Sequence, residues 1–192
     1  MTKGEALRDR TVAMIIDSAA DLLAKRGMAA SMDDIAAAAG IGRATLYRYF
    51  ANREDLLEAM ALAGVGELAA QIKAAALDTV PFDEAIARLA RAIIATGSKY
   101  MVLSRDGARH TNSYPNIDAE VMEPLRALFR RAVADGLVQD SFSPDLLVSL
   151  FSGLIRGALD ETGSRQRGVE ETAAAVTNLF LGGIREGARR TP

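Results

Sequence analysis

Apolar residues recur at steps of three and four along nearly the whole chain, the spacing that gathers them on one face of a helix. In residues 7–26 the stripe is Val12, Ile15, Ile16, Ala19 and Leu23, with Asp9, Asp17 and Asp21 off it. Lys25 and Arg26 suit the negative end of the helix dipole, and Gly27 ends the run. Residues up to about Ala6 carry no pattern and read as a mobile arm.

A second helix follows. Ser31 is its cap, with Asp34 three residues on as the partner in a capping box. Ile35 and the alanines after it continue it to Gly40, whose freedom at positive φ suits the residue after a helix. Gly42 opens a third, short helix after a gap of helix-turn-helix length. In it Leu46 and Phe50 are four apart and share the inward face. Ala44, Thr45 and Arg48 then point away, Tyr47 and Tyr49 lie on the flanks, and Arg43 sits at the start. From Gly40 to Arg53 the charges are Arg43, Arg48 and Arg53, with no Asp or Glu.

Beyond Asn52 a long helix is expected to about Leu77, with Leu56, Leu57, Met60, Leu62, Leu68 and Ile72 apolar. It would join the N-terminal part to the rest and act as a lever. Further helices are expected over Phe82–Leu103, Ile117–Ala134, Ser143–Thr162 and Val169–Ala188. The stretch from Ser104 to Asn116 reads as a loop. No β-pattern appears, so the fold is all-α. The last two helices are too apolar to satisfy themselves within one chain, so part of their surface is expected to bury against a second copy.

Composition narrows the chemistry. The 192 residues suffice for one or two small domains. No apolar run approaches the ~20 residues of a membrane span, and the N-terminus lacks a signal peptide's apolar stretch. With no cysteine, disulfides and thiolate catalysis are excluded, which agrees with a cytoplasmic location. The net charge is −2, so nucleic-acid binding has to rest on local charge. Residues 1–53 hold eight Lys or Arg against six Asp or Glu. No Gly-rich phosphate loop, metal-spaced His and Cys set or nucleophile elbow is present. No catalytic residue, cofactor or metal is therefore assigned, and the chain is not expected to be an enzyme. Asp33 and Asp34 sit at a helix start, where they offset the dipole.

The run from Ser31 to Leu57 closely resembles the DNA-binding signature of the TetR (tetracycline-repressor) family. The residues that carry the resemblance are Asp34-Ile35-Ala36, Ala39-Gly40-Ile41, Thr45-Leu46-Tyr47, Phe50, Asn52-Arg53-Glu54 and Leu56-Leu57. It implies a three-helix helix-turn-helix DNA-binding domain in residues 1–53. It also implies an antiparallel helical domain for ligand binding and dimerisation in residues 54–192. Arg43, Ala44, Thr45, Tyr47, Arg48 and Tyr49 then occupy the recognition helix. Arg53 takes the place of a basic residue that meets phosphate, and Ser31 and Met32 fall where the preceding helix approaches the DNA backbone. Gly42 departs from the pattern, which often has a serine cap there. The implied partners are a palindromic double-stranded DNA operator, a second copy of the chain through its two C-terminal helices, and a small-molecule effector that relieves repression.

The effector pocket is expected among the helices Phe82–Leu103, Ile117–Ala134 and Ser143–Thr162, closed by the 104–116 loop. Tyr100, Met101, His110, Tyr114, Met122, Phe129 and Phe151 are the candidate lining residues. Each has a plainer alternative: Met and Phe at helical spacing also make core, and His110, the only histidine, is equally a loop residue. For the whole chain the alternatives are a helical enzyme, an interaction module, or a DNA binder without sequence preference.

Overall fold

The structure, a computed structural model, describes residues 2–106, 116–139, 141–165 and 168–185; for Lys3, 101–106 and 161–165 it describes the backbone alone. The helices are α1 (Lys3–Arg26), α2 (Met32–Ala38), α3 (Arg43–Tyr49), α4 (Arg53–Ala74), α5 (Phe82–Asp106), α6 (Glu123–Ala134), α7 (Pro144–Arg165) and α8 (Val169–Ile184). Among the described residues there is no strand, as the period of three and four predicts. By contacts the chain divides into two compact units, Met1–Val65 with Lys99–Tyr114, and Gly66–Ser98 with Pro115–Pro192.

In the first unit α1 packs on α2 and α2 on α3. Ile15, Ala19, Leu23, Ile35, Leu46, Leu56 and Met60 are fully buried in one cluster with Tyr100. Leu56, Leu57, Met60 and Ala61 complete that core, so α4 belongs with this unit as far as Val65, beyond the boundary expected after Arg53. The start of α1 also differs from expectation. Thr2 caps it: its Oγ1 accepts from the Glu5 amide at 3.3 Å, and its own amide donates to the Glu5 carboxylate at 2.6 Å. This capping box makes residues 3–6 helix rather than an arm.

The second unit is built from α6 on α7 and α7 on α8, with the apolar stripe of α5. Four phenylalanines meet in its core. Phe129 lies 6.4 Å from Phe82, 6.0 Å from Phe151 and 5.6 Å from Phe180, and the last two are 5.0 Å apart, centroid to centroid. These edge-on and tilted arrangements are the favourable ones for aromatic rings.

Three helix ends depart from the sequence reading. The fourth helix stops at Ala74, because Ala76 takes a left-handed φ of 48° in the turn that follows. The fifth runs on to Asp106 and the seventh to Arg165. The helix expected from Ile117 begins as a π-turn over Asp118–Met122, closed by the Glu123 amide donating to the Asp118 carbonyl. Pro124 explains the wide turn, since it has no amide hydrogen and its ring crowds the carbonyl four residues back. The last helix is described to Ile184, and the expected end at Ala188 lies outside the described residues.

Candidate nucleic-acid interface

The turn between α2 and α3 is set by backbone bonds. The Ile41 amide donates to the Ala36 carbonyl at 3.0 Å and the Gly40 amide to Ala37 at 3.1 Å. This pair is a Schellman motif, and Gly40 supplies the φ of 66° it requires. Gly42 then caps α3 with no side-chain hydrogen bond. At the entry to α2, the Ser31 hydroxyl donates to Asp34 at 2.6 Å and accepts from the Asp34 amide at 3.2 Å. Those bonds to Ser31, side chain first and then backbone, hold the Asp34 carboxyl below its ordinary pKa, and Arg26 adds a smaller share.

The faces of α3 separate as its sequence requires. Leu46 and Phe50 are buried in the core, whereas Arg43, Ala44, Tyr47 and Arg48 are exposed and Thr45 and Tyr49 half-buried. Arg43 stacks over the Tyr47 ring and Arg48 over the Tyr49 ring, each 5.4 Å from the centroid. Arg43 also pairs with Asp33 of α2 at 3.0 Å. The exposed face thus offers two guanidinium groups, each steadied by a tyrosine on the same helix. Guanidinium groups suit phosphate oxygens and guanine edges.

Two of the expected DNA-facing residues, Met32 and Arg53, are placed differently, whereas Ser31 is exposed. Met32 is 8% exposed and belongs to the core of the first unit. The Ser31 hydroxyl is committed to the capping box. Arg53 turns its guanidinium inward: Nη1 donates to the Ala30 carbonyl at 2.5 Å and Nη2 to the Met28 carbonyl at 2.8 Å. The Asn52 side chain caps α4 by accepting from the Asp55 amide at 2.9 Å.

The second unit contains a cavity of about 870 Å³. It is lined by Gly66, Ala69, Ala70, Ile72 and Lys73 of α4, by Leu77 and Asp78 of the turn after it, by Ala119 and Glu120 of the π-turn, and by Pro124, Ala127, Leu128 and Arg131 of α6. Arg131 donates to the Leu77 carbonyl at 2.7 Å, which fixes the turn beside the cavity. Of the residues expected to line a pocket, those whose side chains are described (Tyr100, Met122, Phe129 and Phe151) are not among its lining. Phe129 and Phe151 are in the aromatic core, Met122 is half-buried, and Tyr100 packs in the first unit. The Met101 side chain, His110 and Tyr114 lie outside the described residues. The cavity did leave a trace in the sequence: Gly66, Ala69, Ala70 and Lys73 share one face of α4 at steps of three and four. Among the described residues no group of three His, Cys, Asp or Glu could hold a metal, and no helix is long and apolar enough to cross a membrane.

Comparison with known proteins gives a consistent picture. Residues 15–60 match the family model described as bacterial regulatory proteins, tetR family. A curated relative, the HTH-type transcriptional repressor LfrR of Mycolicibacterium smegmatis, is 52% identical over 54 residues, which is 28% of each chain. The match thus spans little more than a quarter of that relative's length. Among solved structures, the TetR-like regulator LfrR in complex with proflavine is 28% identical at a TM-score of 0.72, covering 91% of this chain and 97% of that one. The TetR-family regulator PfmR of Thermus thermophilus has the same TM-score at 23% identity, over 92% and 99% of the two chains.

Proposed function

We propose that the chain, whose residues 15–60 match the model of the tetR family of bacterial regulatory proteins, is a homodimeric, sequence-specific transcriptional repressor acting in the cytoplasm. The observation that carries this reading is the outward face of α3. Arg43, Ala44, Tyr47 and Arg48 are exposed there on a helix whose Leu46 and Phe50 are locked into the core. With Thr45 and Tyr49 on its flanks, that face would lie in a major groove, where its small Ala44 permits close approach.

The dimer forms through α7 and α8. Leu146, Leu150 and Leu179 are exposed on them. Gly153, Gly157, Gly182 and Gly183 have open space where a Cβ would stand. A face of large apolar and small residues suits close packing against an identical face, and a twofold axis makes each contact twice. Two heads so related read half-sites about 34–36 Å apart or a multiple of it.

The cavity in the second unit is the proposed effector site. Its walls are mostly glycine, alanine, proline, leucine and isoleucine, with Lys73, Asp78, Glu120 and Arg131 as charged groups. An apolar lining with a few charged positions is the usual make-up of a small-molecule pocket. Effector binding relieves repression if the occupied cavity is compatible with only one spacing of the heads. LfrR was solved in complex with proflavine, which makes that compound the first probe.

Selection of duplexes from a random library, followed by competition against random DNA over a salt series, tests the DNA reading. The expected result is enrichment of one palindromic site that survives competition at moderate salt. Equal affinity for all duplexes at every salt concentration would make the chain a non-specific binder.

A further inference from the structure

The arginine at the start of α4 is the residue whose placement departs most from what its sequence position suggests. A basic residue there would be free to meet phosphate. Instead both terminal nitrogens of Arg53 are used inside the head, on the carbonyls of Ala30 at 2.5 Å and Met28 at 2.8 Å. These carbonyls belong to the 3-10 turn Gly27–Ala29 and its C-cap, the connection between α1 and α2. That turn has no side-chain cap hydrogen bond, and the backbone bond at its C-terminal end, from the Ala30 amide to the Gly27 carbonyl, is 3.4 Å long. Two shorter, charge-assisted bonds from Arg53 add to it.

We propose that Arg53 is a positioning residue for DNA recognition and not a phosphate ligand. Its guanidinium ties the first turn of α4 to the residues directly before α2. Ser31 follows Ala30 and caps α2, and Asp33 of that same first turn pairs with Arg43 of the recognition helix at 3.0 Å. The clamp therefore fixes the entry of α2, and through it the setting of α3. A planar fork with donors on two nitrogens spans two carbonyls; a lysine brings a single, strongly hydrated ammonium on a flexible stem. At a phosphate the two side chains are nearly interchangeable as charges, but at this clamp they are not.

The inference rests on the DNA-binding reading, and its test separates the two. Full-length wild type, Arg53→Lys and Arg48→Ala are titrated with the duplex enriched from the random library, over a salt series. Amide hydrogen exchange of residues 27–34 is followed in the same proteins without DNA. Arg53→Lys should weaken binding by roughly tenfold, with the salt slope of wild type, whereas Arg48→Ala should lower that slope by about one phosphate contact per head. Arg53→Lys should also speed exchange in the α1–α2 connection while its melting temperature stays near that of wild type. Wild-type affinity in Arg53→Lys, with unchanged exchange, would overturn the proposal and return Arg53 to the phosphate. If wild type itself fails to bind DNA, the regulator reading falls and the positioning role with it, while exchange still reports whether the clamp exists.

Discussion

Arg43 of α3 and Asp33 of α2 form an ion pair at 3.0 Å, with both side chains more than half exposed. The pair orients the arginine, but it also holds an acid beside the surface that would face phosphate. An exposed pair contributes little to stability because water and salt screen it. Its larger effect should be on binding. Asp33→Asn frees Arg43 and removes a negative charge, so affinity should rise up to about fivefold, given the small strength of such pairs. The gain should be at least as large for random DNA as for the preferred site. Fluorescence anisotropy with both duplexes checks it; a loss of affinity would mean that the pair's orienting effect outweighs its masking of charge.

The capping box at the start of α2 makes head stability depend on acid. Asp34 is held below its ordinary pKa of 3.8 by the Ser31 hydroxyl and amide. A depressed carboxylate contributes stability that is fully present above the unfolded pKa and is lost as pH falls through the folded one. Asp34→Asn should therefore be less stable than wild type at neutral pH, with the gap closing below about pH 3.8. Paired urea melts across pH measure the gap. A difference that persists unchanged at low pH would assign the cost to lost geometry rather than lost charge.

Glycine within a helix usually signals an easy gain, since alanine is better there by about 1 kcal/mol. Gly64 in α4 should break that rule. A Cβ there would stand 3.0 Å from Cγ and 3.1 Å from Cδ2 of Tyr100, atoms at the root of a buried ring that cannot swing aside. Overpacking of this kind costs roughly 1–3 kcal/mol, which exceeds the propensity gain. Gly97 in α5 offers the contrast. Its added Cβ would meet the two terminal methyls of Leu159 at 2.8 and 2.9 Å, and these can rotate away. Chemical denaturation should therefore rank Gly64→Ala clearly below Gly97→Ala. The reverse order would show that the Tyr100 ring yields more readily than its burial suggests.

What the sequence made legible follows from periodicity and local chemistry. The two faces of α3, the Ser31 cap and the all-helical fold depend on neighbours within four residues, and each is found. The Thr2–Glu5 capping box carried the same local signature, three residues apart, but no apolar stripe beside it drew attention to it. The inward turn of Arg53 depends on carbonyls more than twenty residues away. No pattern near position 53 reports where they point. The aromatic candidates failed differently: Phe129 and Phe151 have helical spacing suited to a pocket or a core, and only their contact with Phe82 and Phe180 decides for the core. Cavity walls made of alanine and glycine are hard to recognise because such residues also serve as ordinary helix formers or close contacts.

Leu179 is 68% exposed on α8, far more than a leucine gains by, and Leu150 on α7 is 43% exposed. Neither is needed by the core of its own unit, where Val176, Phe180 and Ile184 carry the burial of α8. Leu179→Arg should accordingly leave the protomer folded. Across a twofold axis the charge is introduced twice, opposite its own copy or close to it, in a face otherwise lined by glycine and leucine. The dimer dissociation constant should rise on the order of 100-fold or more, as for a central apolar anchor replaced by a charge. Sedimentation velocity should then show monomer at concentrations where wild type is dimeric. Affinity for the palindromic site should fall to that of a single head, while binding to random duplexes at low salt is kept. A variant that stays dimeric would place the interface elsewhere and leave the exposed face of α7 and α8 without its proposed occupant.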